Sequence, residues 1–499
     1  MNNVISQLFR AMRSVILAGI LLLGGVPVPA QAVHESGDEK TVATVLAYLD
    51  TLEKEGFSGA VLVGIHGTEV IANGYGYGDL QRNRKNTPQT VFDIGSLTKQ
   101  FTVAAIMKLE MEGRLSTDDR LSRFFDNVPK DKAEITIHHL LRHASGLQSS
   151  VGRDYDPITT REFIDTVMKS PLRHPCGTAF SYSNIGYSLL GLIIERASGV
   201  SYETYLYENL WRPAGMEMTG YRRPDFPEDL VAAGYASDDQ PWGRPTEKAW
   251  DSDGPYWHLK ANGGVLSTVE DLFRWDRALS TSRILSESAK AKMYRPALRE
   301  NEGGDSYYAY GWDIMRTSRN TLRAWHNGTN RVFYADMYRF LEEGTTIILL
   351  ANKSNGFEES ALEISRVLFD STYTPVVPVA DNEINRSLTD EIVTITLRQG
   401  AEAGVDASRQ PGHSGRLMEG RVNGRGYELL NEGNLSQAIE VFRLNVLAFP
   451  GSSNAYDSLG EGYMNAGEVD LALQNYRKSL ALDPRNVNAR AMVERLLHR

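Results

Sequence analysis

Cysteine is almost absent from this chain: Cys176 is the only one in 499 residues. No internal disulfide can form, so the fold rests on buried apolar surface in whatever compartment it occupies. Cys176 has no cationic helix start around it and reads as a packing residue rather than a nucleophile. Dense Lys/Arg tracts are also missing. With 53 basic against 63 acidic residues the net charge is -10, which argues against a nucleic-acid partner. Long hydrophobic runs are lacking except near the N-terminus, where Val15 to Val26 follows Arg10 and Arg13 and precedes Ala30-Gln31-Ala32. That layout is a secretory signal peptide, residues 1–32, with cleavage after Ala32. The run is short for a membrane span of about 20 residues. An exported protein, periplasmic or secreted, with no stable span after cleavage is the expectation.

What is present is ordinary globular composition, 41% hydrophobic and 23% charged, in a chain too long for one core. Strands are predicted at Gly59–Ile65 and Glu69–Ala72, joined by a His66-Gly67 turn, and again at Phe333–Leu341 and Thr345–Asn352. Between them the apolar spacing predicts helices over Ser96–Glu112, Ile137–Arg142, Thr160–Lys169, Asn184–Ser198, Tyr202–Asn209 and Val269–Ser280. A hairpin near each end with helices inserted predicts an α+β domain over 33–374, its antiparallel sheet closed by both chain ends. Gly74-Tyr75-Gly76-Tyr77-Gly78 lacks the following helix of a phosphate loop and reads as a strand end.

After Phe369 the texture becomes polar and Pro-containing. Residues 375–416 read as a linker with a helix from Asp390 to Glu402 and a flexible stretch from Gly404 to Gly415. A repeat follows: Gly426, Ala438, Phe442 and Pro450 recur 34 residues later as Gly460, Ala472, Tyr476 and Pro484. This resembles the tetratricopeptide repeat and implies an all-α module over 417–499, closed by a helix after Arg485. Two repeats fall short of the roughly three a free-standing array needs, so the module should lean on a neighbouring element. Such repeats imply a protein partner.

Three short motifs carry chemistry. Ser96-Leu97-Thr98-Lys99 sets a hydroxyl and an amine on one helical face; serine becomes a nucleophile only beside a base, and lysine serves as one only when desolvated. Tyr182-Ser183-Asn184 offers a phenol for proton relay and an amide for orienting a substrate carbonyl, or equally a turn anchor and a helix cap. His326-Asn327-Gly328-Thr329, just before the strand at Phe333, allows close backbone approach at a sheet edge, or is a loop histidine. His138, His139 and His143 lack the glutamate of a zinc protease helix. No metal or cofactor is expected.

In that order, Ser-x-x-Lys, Tyr-x-Asn and His-x-Gly resemble the serine β-lactamase and penicillin-binding-protein superfamily. Leu140 to Leu147, Phe180 to Glu195 and Gly263 to Leu272 look like its class C β-lactamase-like branch, which includes D-alanyl-D-alanine carboxypeptidases, D-amino acid peptidases and esterases. The resemblance covers Val42 to Phe369 and implies a β-lactamase-like transpeptidase fold, an antiparallel sheet with an inserted helical subdomain. It implies that Ser96 is acylated and that Lys99 and Tyr182 share the proton transfers. Substrate binding falls to Asn184, His326, Gly328 and Thr329, with the Ser96 and Thr329 amides as the oxyanion hole. His326 stands where β-lactamases usually carry lysine. An ester, amide or D-amino-acid peptide is therefore expected as substrate ahead of a β-lactam ring, with a repeat-borne protein-binding platform as the reading of another class.

Overall fold

Alternation along Gly59–Ile65 (β1) sends Ala60 and Leu62 to one face of a sheet and Val61 and Val63 to the other. His66 and Gly67, both at positive φ, turn the chain into Thr68–Tyr75 (β2). The later chain supplies Leu298–Arg299 (β3), Ser306–Tyr308 (β4), Asp313–Arg316 (β5), Leu322–Asn330 (β6), Phe333–Phe340 (β7) and Thr345–Ala351 (β8). The eight strands lie in the order β2-β1-β8-β7-β6-β5-β4-β3, every neighbouring pair antiparallel. Gly59 faces Ala351 and Ile65 faces Thr345, so the two ends of this region close the sheet as expected. This computed structural model describes residues 35–237, 240–296, 298–300, 304–353, 355–484 and 486–497. The expected signal peptide, residues 1–32, lies outside them. Among the described residues no helix is long and apolar enough to cross a membrane.

Each face of the sheet is covered. Val45, Tyr48, Leu49 and Leu52 of Glu35–Lys54 (α1) and Ala361, Ile364 and Val367 of Ser360–Phe369 (α5) pack on Val61, Val63, Ile347 and Leu349. The inserted region covers the other face with a larger core, centred on Thr98–Met111 (α2), Asn184–Ser198 (α3) and Val269–Leu279 (α4). Helix α1 escaped the sequence reading because its first turns are polar and charged. Strand β6 escaped it too: His326 was expected ahead of the strand at Phe333, yet it lies inside β6. That segment alternates buried and exposed residues, but its Asn, Gly and Thr resemble loop composition.

The segment expected to be a linker with one helix, Asp390 to Glu402, holds two helices, Glu383–Gln399 (α6) and Ala401–Ser408 (α7). Gly404, taken for flexible chain, is a packing glycine: a Cβ there would lie 2.0 Å from Thr396 Oγ1 and 3.1 Å from Leu444. Leu388, Ile392 and Val405 share one core with Val422, Phe442 and Leu444 of Glu419–Asn431 (α8) and Leu435–Ala448 (α9). The expected lean of the repeats is thus onto α6 and α7. Ser453–Asn465 (α10), Val469–Leu482 (α11) and Val487–Leu497 (α12) complete the array. The 34-residue period has a steric basis. A Cβ on Gly426 would meet the Phe442 ring at 2.3 Å, and one on Gly460 would meet the Tyr476 ring at 3.0 Å, so each hairpin closes a glycine onto an aromatic ring.

Candidate active site

Ser96 lies in one 3-10 turn, Gly95–Leu97, ahead of α2 rather than inside the α-helix. Gly95 takes φ 49°, and Asp93 Oδ1 accepts its N–H at 2.8 Å, which fixes the turn. Asp93 is fully buried, and that burial pushes its carboxyl up to about 7. Lys99, one turn on, has no exposed surface, and its Nζ donates to Ser96 Oγ at 3.0 Å and to the Asn262 carbonyl at 2.7 Å. Desolvation holds the amine well below the ordinary lysine range, opposed by the charge of Asp154. Ser96 itself is half-buried, so its hydroxyl can be reached. The pair sets an accessible hydroxyl beside a desolvated amine.

Tyr182 brings its ring within 4.8 Å of Lys99 Nζ, and burial raises its phenol, opposed by a hydrogen bond with Ser96. The phenol is therefore protonated at neutral pH. The next helix is capped by Ser183, whose Oγ accepts the Gly186 N–H, so Asn184 is not the cap. Asn184 Oδ1 is buried and has no hydrogen-bond partner among the described residues.

The sheet supplies the opposite wall. Asn330 and Phe333 close a two-residue hairpin, so strand alternation turns the N–H of Thr329, opposite Tyr334, to the edge of β6 away from β7. Strand β5 pairs with β6 only as far as Trp325, which leaves that edge free beside Ser96. A Cβ on Gly328 would sit 2.0 Å from the Ile94 carbonyl oxygen and 2.7 Å from Ser96 N; one on Gly95 would sit 2.7 Å from Thr329 N. Two glycines thus hold two backbone amides side by side, the arrangement an oxyanion needs.

His326 is 5% exposed; its Nδ1–H donates to the Asn327 carbonyl at 2.5 Å and its Nε2 accepts the Tyr308 O–H at 3.0 Å. Burial chiefly, and Lys99 whenever its amine is protonated, pushes it down to about 3, so it is neutral and contributes no cation. The structure places Ser96, Lys99, Tyr182, His326, Gly328 and Thr329 around one site, with Asn184 two residues beyond Tyr182 at the start of α3. It adds others that lie outside the three motifs. Tyr308 contacts His326. His143 accepts the Ser183 N–H at 3.0 Å and packs against Tyr182 with ring centroids 4.2 Å apart and planes tilted by 36°, which orients the phenol. Asn262 serves through its carbonyl, which side-chain chemistry could not have signalled. Of the other two histidines of that sequence group, His138 is engaged by Tyr310 and Arg142, and His139 lies in the cap at Thr136. Cys176 is half-buried, with its thiol pushed up to about 11 by burial, which disfavours the thiolate.

Comparison with known proteins agrees with this geometry. A family model described as Beta-lactamase matches residues 41–369. Penicillin-binding protein 4* of Bacillus subtilis (strain 168) is 30% identical over 338 residues, 64% of this chain and 74% of that protein. An octameric penicillin-binding protein homologue from Pyrococcus abyssi superposes with TM-score 0.57 at 27% identity, covering 71% of this chain and 81% of its own. D-amino acid amidase from Ochrobactrum anthropi SV3, in complex with D-phenylalanine, gives TM-score 0.55 at 25% identity over 67% of this chain and 98% of its own. With well over half of its residues matched, the chain belongs to the beta-lactamase family and is a serine hydrolase of that family.

Proposed function

We propose that Ser96 is the acylated nucleophile of an exported hydrolase of the class C-like branch, acting on an ester, an amide or a D-amino-acid peptide. The observation that carries this reading is the fully buried Lys99 amine 3.0 Å from Ser96 Oγ. In acylation neutral Lys99 takes the Ser96 proton as Oγ attacks the carbonyl, and the oxyanion collects the N–H groups of Ser96 and Thr329. The Tyr182 phenol delivers a proton to the leaving group and regains one from the Lys99 ammonium. Water then enters by the reverse relay, restoring Ser96 and releasing the acid. Asn184 offers its unpaired amide oxygen to the substrate's N–H.

Neutral His326 supports the order of substrates, since no cation stands there for a β-lactam carboxylate. β-Lactam hydrolysis is the alternative outcome. Nitrocefin, D-Ala-D-Ala peptides and short-chain p-nitrophenyl esters, compared on wild type and Ser96→Ala, test the reading. Ester or D-peptide turnover should exceed nitrocefin turnover and vanish in Ser96→Ala. Turnover surviving in Ser96→Ala contradicts the nucleophile assignment.

The repeats are read as a tetratricopeptide module that recruits a protein partner. The exposed apolar side chains Leu447 and Leu471, each 40% exposed, favour this second role. Removing residues 383–499, whose core is separate from that of the sheet, should keep ester turnover and abolish partner capture.

A further inference from the structure

The Ser96 and Thr329 amides can meet an oxyanion only while they stay unpaired, and among the described residues no backbone hydrogen bond joins Gly95 or Ser96 to Gly328 or Thr329. The two glycines allow the approach; they do not hold it. Asn330, the residue after Thr329, is 3% exposed, and its Nδ2 donates to Asp93 Oδ2 at 2.5 Å and to the Tyr155 hydroxyl at 2.9 Å. Asp93 accepts the Gly95 N–H through its other oxygen. One amide and one carboxyl thus bridge the residue before Ser96 and the residue after Thr329. On its far side the turn is tied by backbone, Ile94 N–H to Val265 O at 3.0 Å, so the Asp93–Asn330 hydrogen bond closes the side that faces β6. Tyr155 is braced in its turn, since its ring packs on Trp242 with centroids 5.8 Å apart and Trp242 packs on Phe333 at the same distance. Both N–H groups of the Asn330 amide are therefore engaged, which fixes its rotamer.

We propose that Asn330 is a positioning residue for the reaction: through Asp93 it holds the Ser96 turn against β6 and so keeps the two oxyanion amides in register. Its side chain is committed to Asp93 and Tyr155 and moves no proton of the reaction. An amide suits this place because it offers a donor to a carboxylate and, turned over, an acceptor to a carboxylic acid, so the tie survives either charge state of Asp93. Rigidity here has a large return, because misplacing a catalytic group by about 1 Å costs on the order of 100-fold in rate. The proposal rests on Ser96 as the nucleophile and on the paired amides as its oxyanion hole.

The test compares Asn330→Leu, similar in shape but without hydrogen-bonding groups, and Asn330→Ser, too short to reach Asp93, in the full chain below their thermal midpoints. The serine variant carries the test if the leucine protein does not fold. Two readouts are taken: p-nitrophenyl acetate turnover, and inhibition by phenylboronic acid, whose boron bonds to Ser96 Oγ and presents an oxyanion-like oxygen to the two amides. In both variants kcat should fall by about 10- to 100-fold with KM within about threefold, and the boronate inhibition constant should rise by a similar factor. Asp93→Asn, whose amide still accepts the Gly95 N–H and donates to Asn330, should stay within about threefold of wild type in both readouts. Folded variants with wild-type kcat and boronate affinity, including any that lose only thermal midpoint, overturn the proposal. A KM that rises at constant kcat does so too, as does an Asp93→Asn protein that falls as far as Asn330→Leu, since the charge of Asp93 would then matter rather than the tie. Failure of the underlying reading is separately visible as ester hydrolysis and boronate inhibition that persist in Ser96→Ala.

Discussion

Gly328→Ala isolates the two-amide arrangement from every side chain around it. Gly328 does not lie in the left-handed region, so alanine brings no backbone strain, only a methyl group. That methyl would lie 2.0 Å from the Ile94 carbonyl oxygen, 2.7 Å from Ser96 N and 3.0 Å from Gly95 C. All three are backbone atoms that cannot swing aside. Bringing the closest contact to an ordinary 3.4 Å requires β6 and the Ser96 turn to part by about 1.4 Å. An opening of that size moves the Thr329 N–H out of reach of an oxyanion held by Ser96 N. Losing one such donor costs about 3 kcal/mol in the barrier, a fall in kcat on the order of 100-fold. Stability should fall by a further 1–3 kcal/mol or so from overpacking. The assay is kcat for p-nitrophenyl acetate together with the thermal midpoint, so that loss of fold and loss of chemistry are read apart. A folded Gly328→Ala protein with kcat within threefold of wild type refutes the reasoning.

Lys99→Arg replaces a desolvated amine with a permanent cation, and kcat should drop by about 10²–10⁴ while the protein still folds; ester turnover close to wild type would remove Lys99 as the base. Because His326 stays neutral down to about 3, kcat/KM should show no inflection between pH 6 and 8 attributable to it, and His326→Asn should leave the midpoint of the acid limb in place. Asp93 gives a stability prediction with a defined sign: its unfolded carboxyl ionises near 3.9 and its folded one at about 7. The folded state therefore holds the extra proton between those values, and stability is lost as pH rises from about 4 to 7 and is level above. Asp93→Asn should remove that loss, on the order of 4 kcal/mol at most, so its thermal midpoint relative to wild type should climb from pH 5 to pH 8; a pH-independent difference contradicts this. Gly426→Ala presses a methyl onto the Phe442 ring and should destabilise the helical array by about 1–3 kcal/mol, seen as faster proteolysis after residue 383 with unchanged ester turnover.

Local signals carried most of the fold. Asn184–Ser198 and Thr160–Lys169 match the bounds predicted from their apolar spacing, and in the structure Ser183 and Thr159 cap them, although the sequence offers Asn184 as the cap of the first. Strand β6 was hidden because one of its edges is given to the site: the Asn, Gly and Thr that approach Ser96 are the residues that make a strand look like a loop. Gly404 misled for a related reason, since a glycine that permits helix contact has the same letter as one that permits flexibility. At the site, order and residue type named Ser96, Lys99 and Tyr182, whereas the supporting partners come from contacts across 40 to 163 residues: His143 under Tyr182 and the Asn262 carbonyl on Lys99. Burial, which sets the charge states of Lys99, Tyr182 and His326, is a property of the assembled core and could not be read from the motifs.

The central claim is that Ser96 becomes acylated with Lys99 as its neutral base. Intact-protein mass spectrometry after brief exposure to a fluorophosphonate probe at pH 7, followed by peptide mapping, tests it most directly. One adduct, on Ser96, that is strongly diminished in Lys99→Arg is the predicted result. An adduct on another serine, or equal labelling of Ser96 in both proteins, would contradict it.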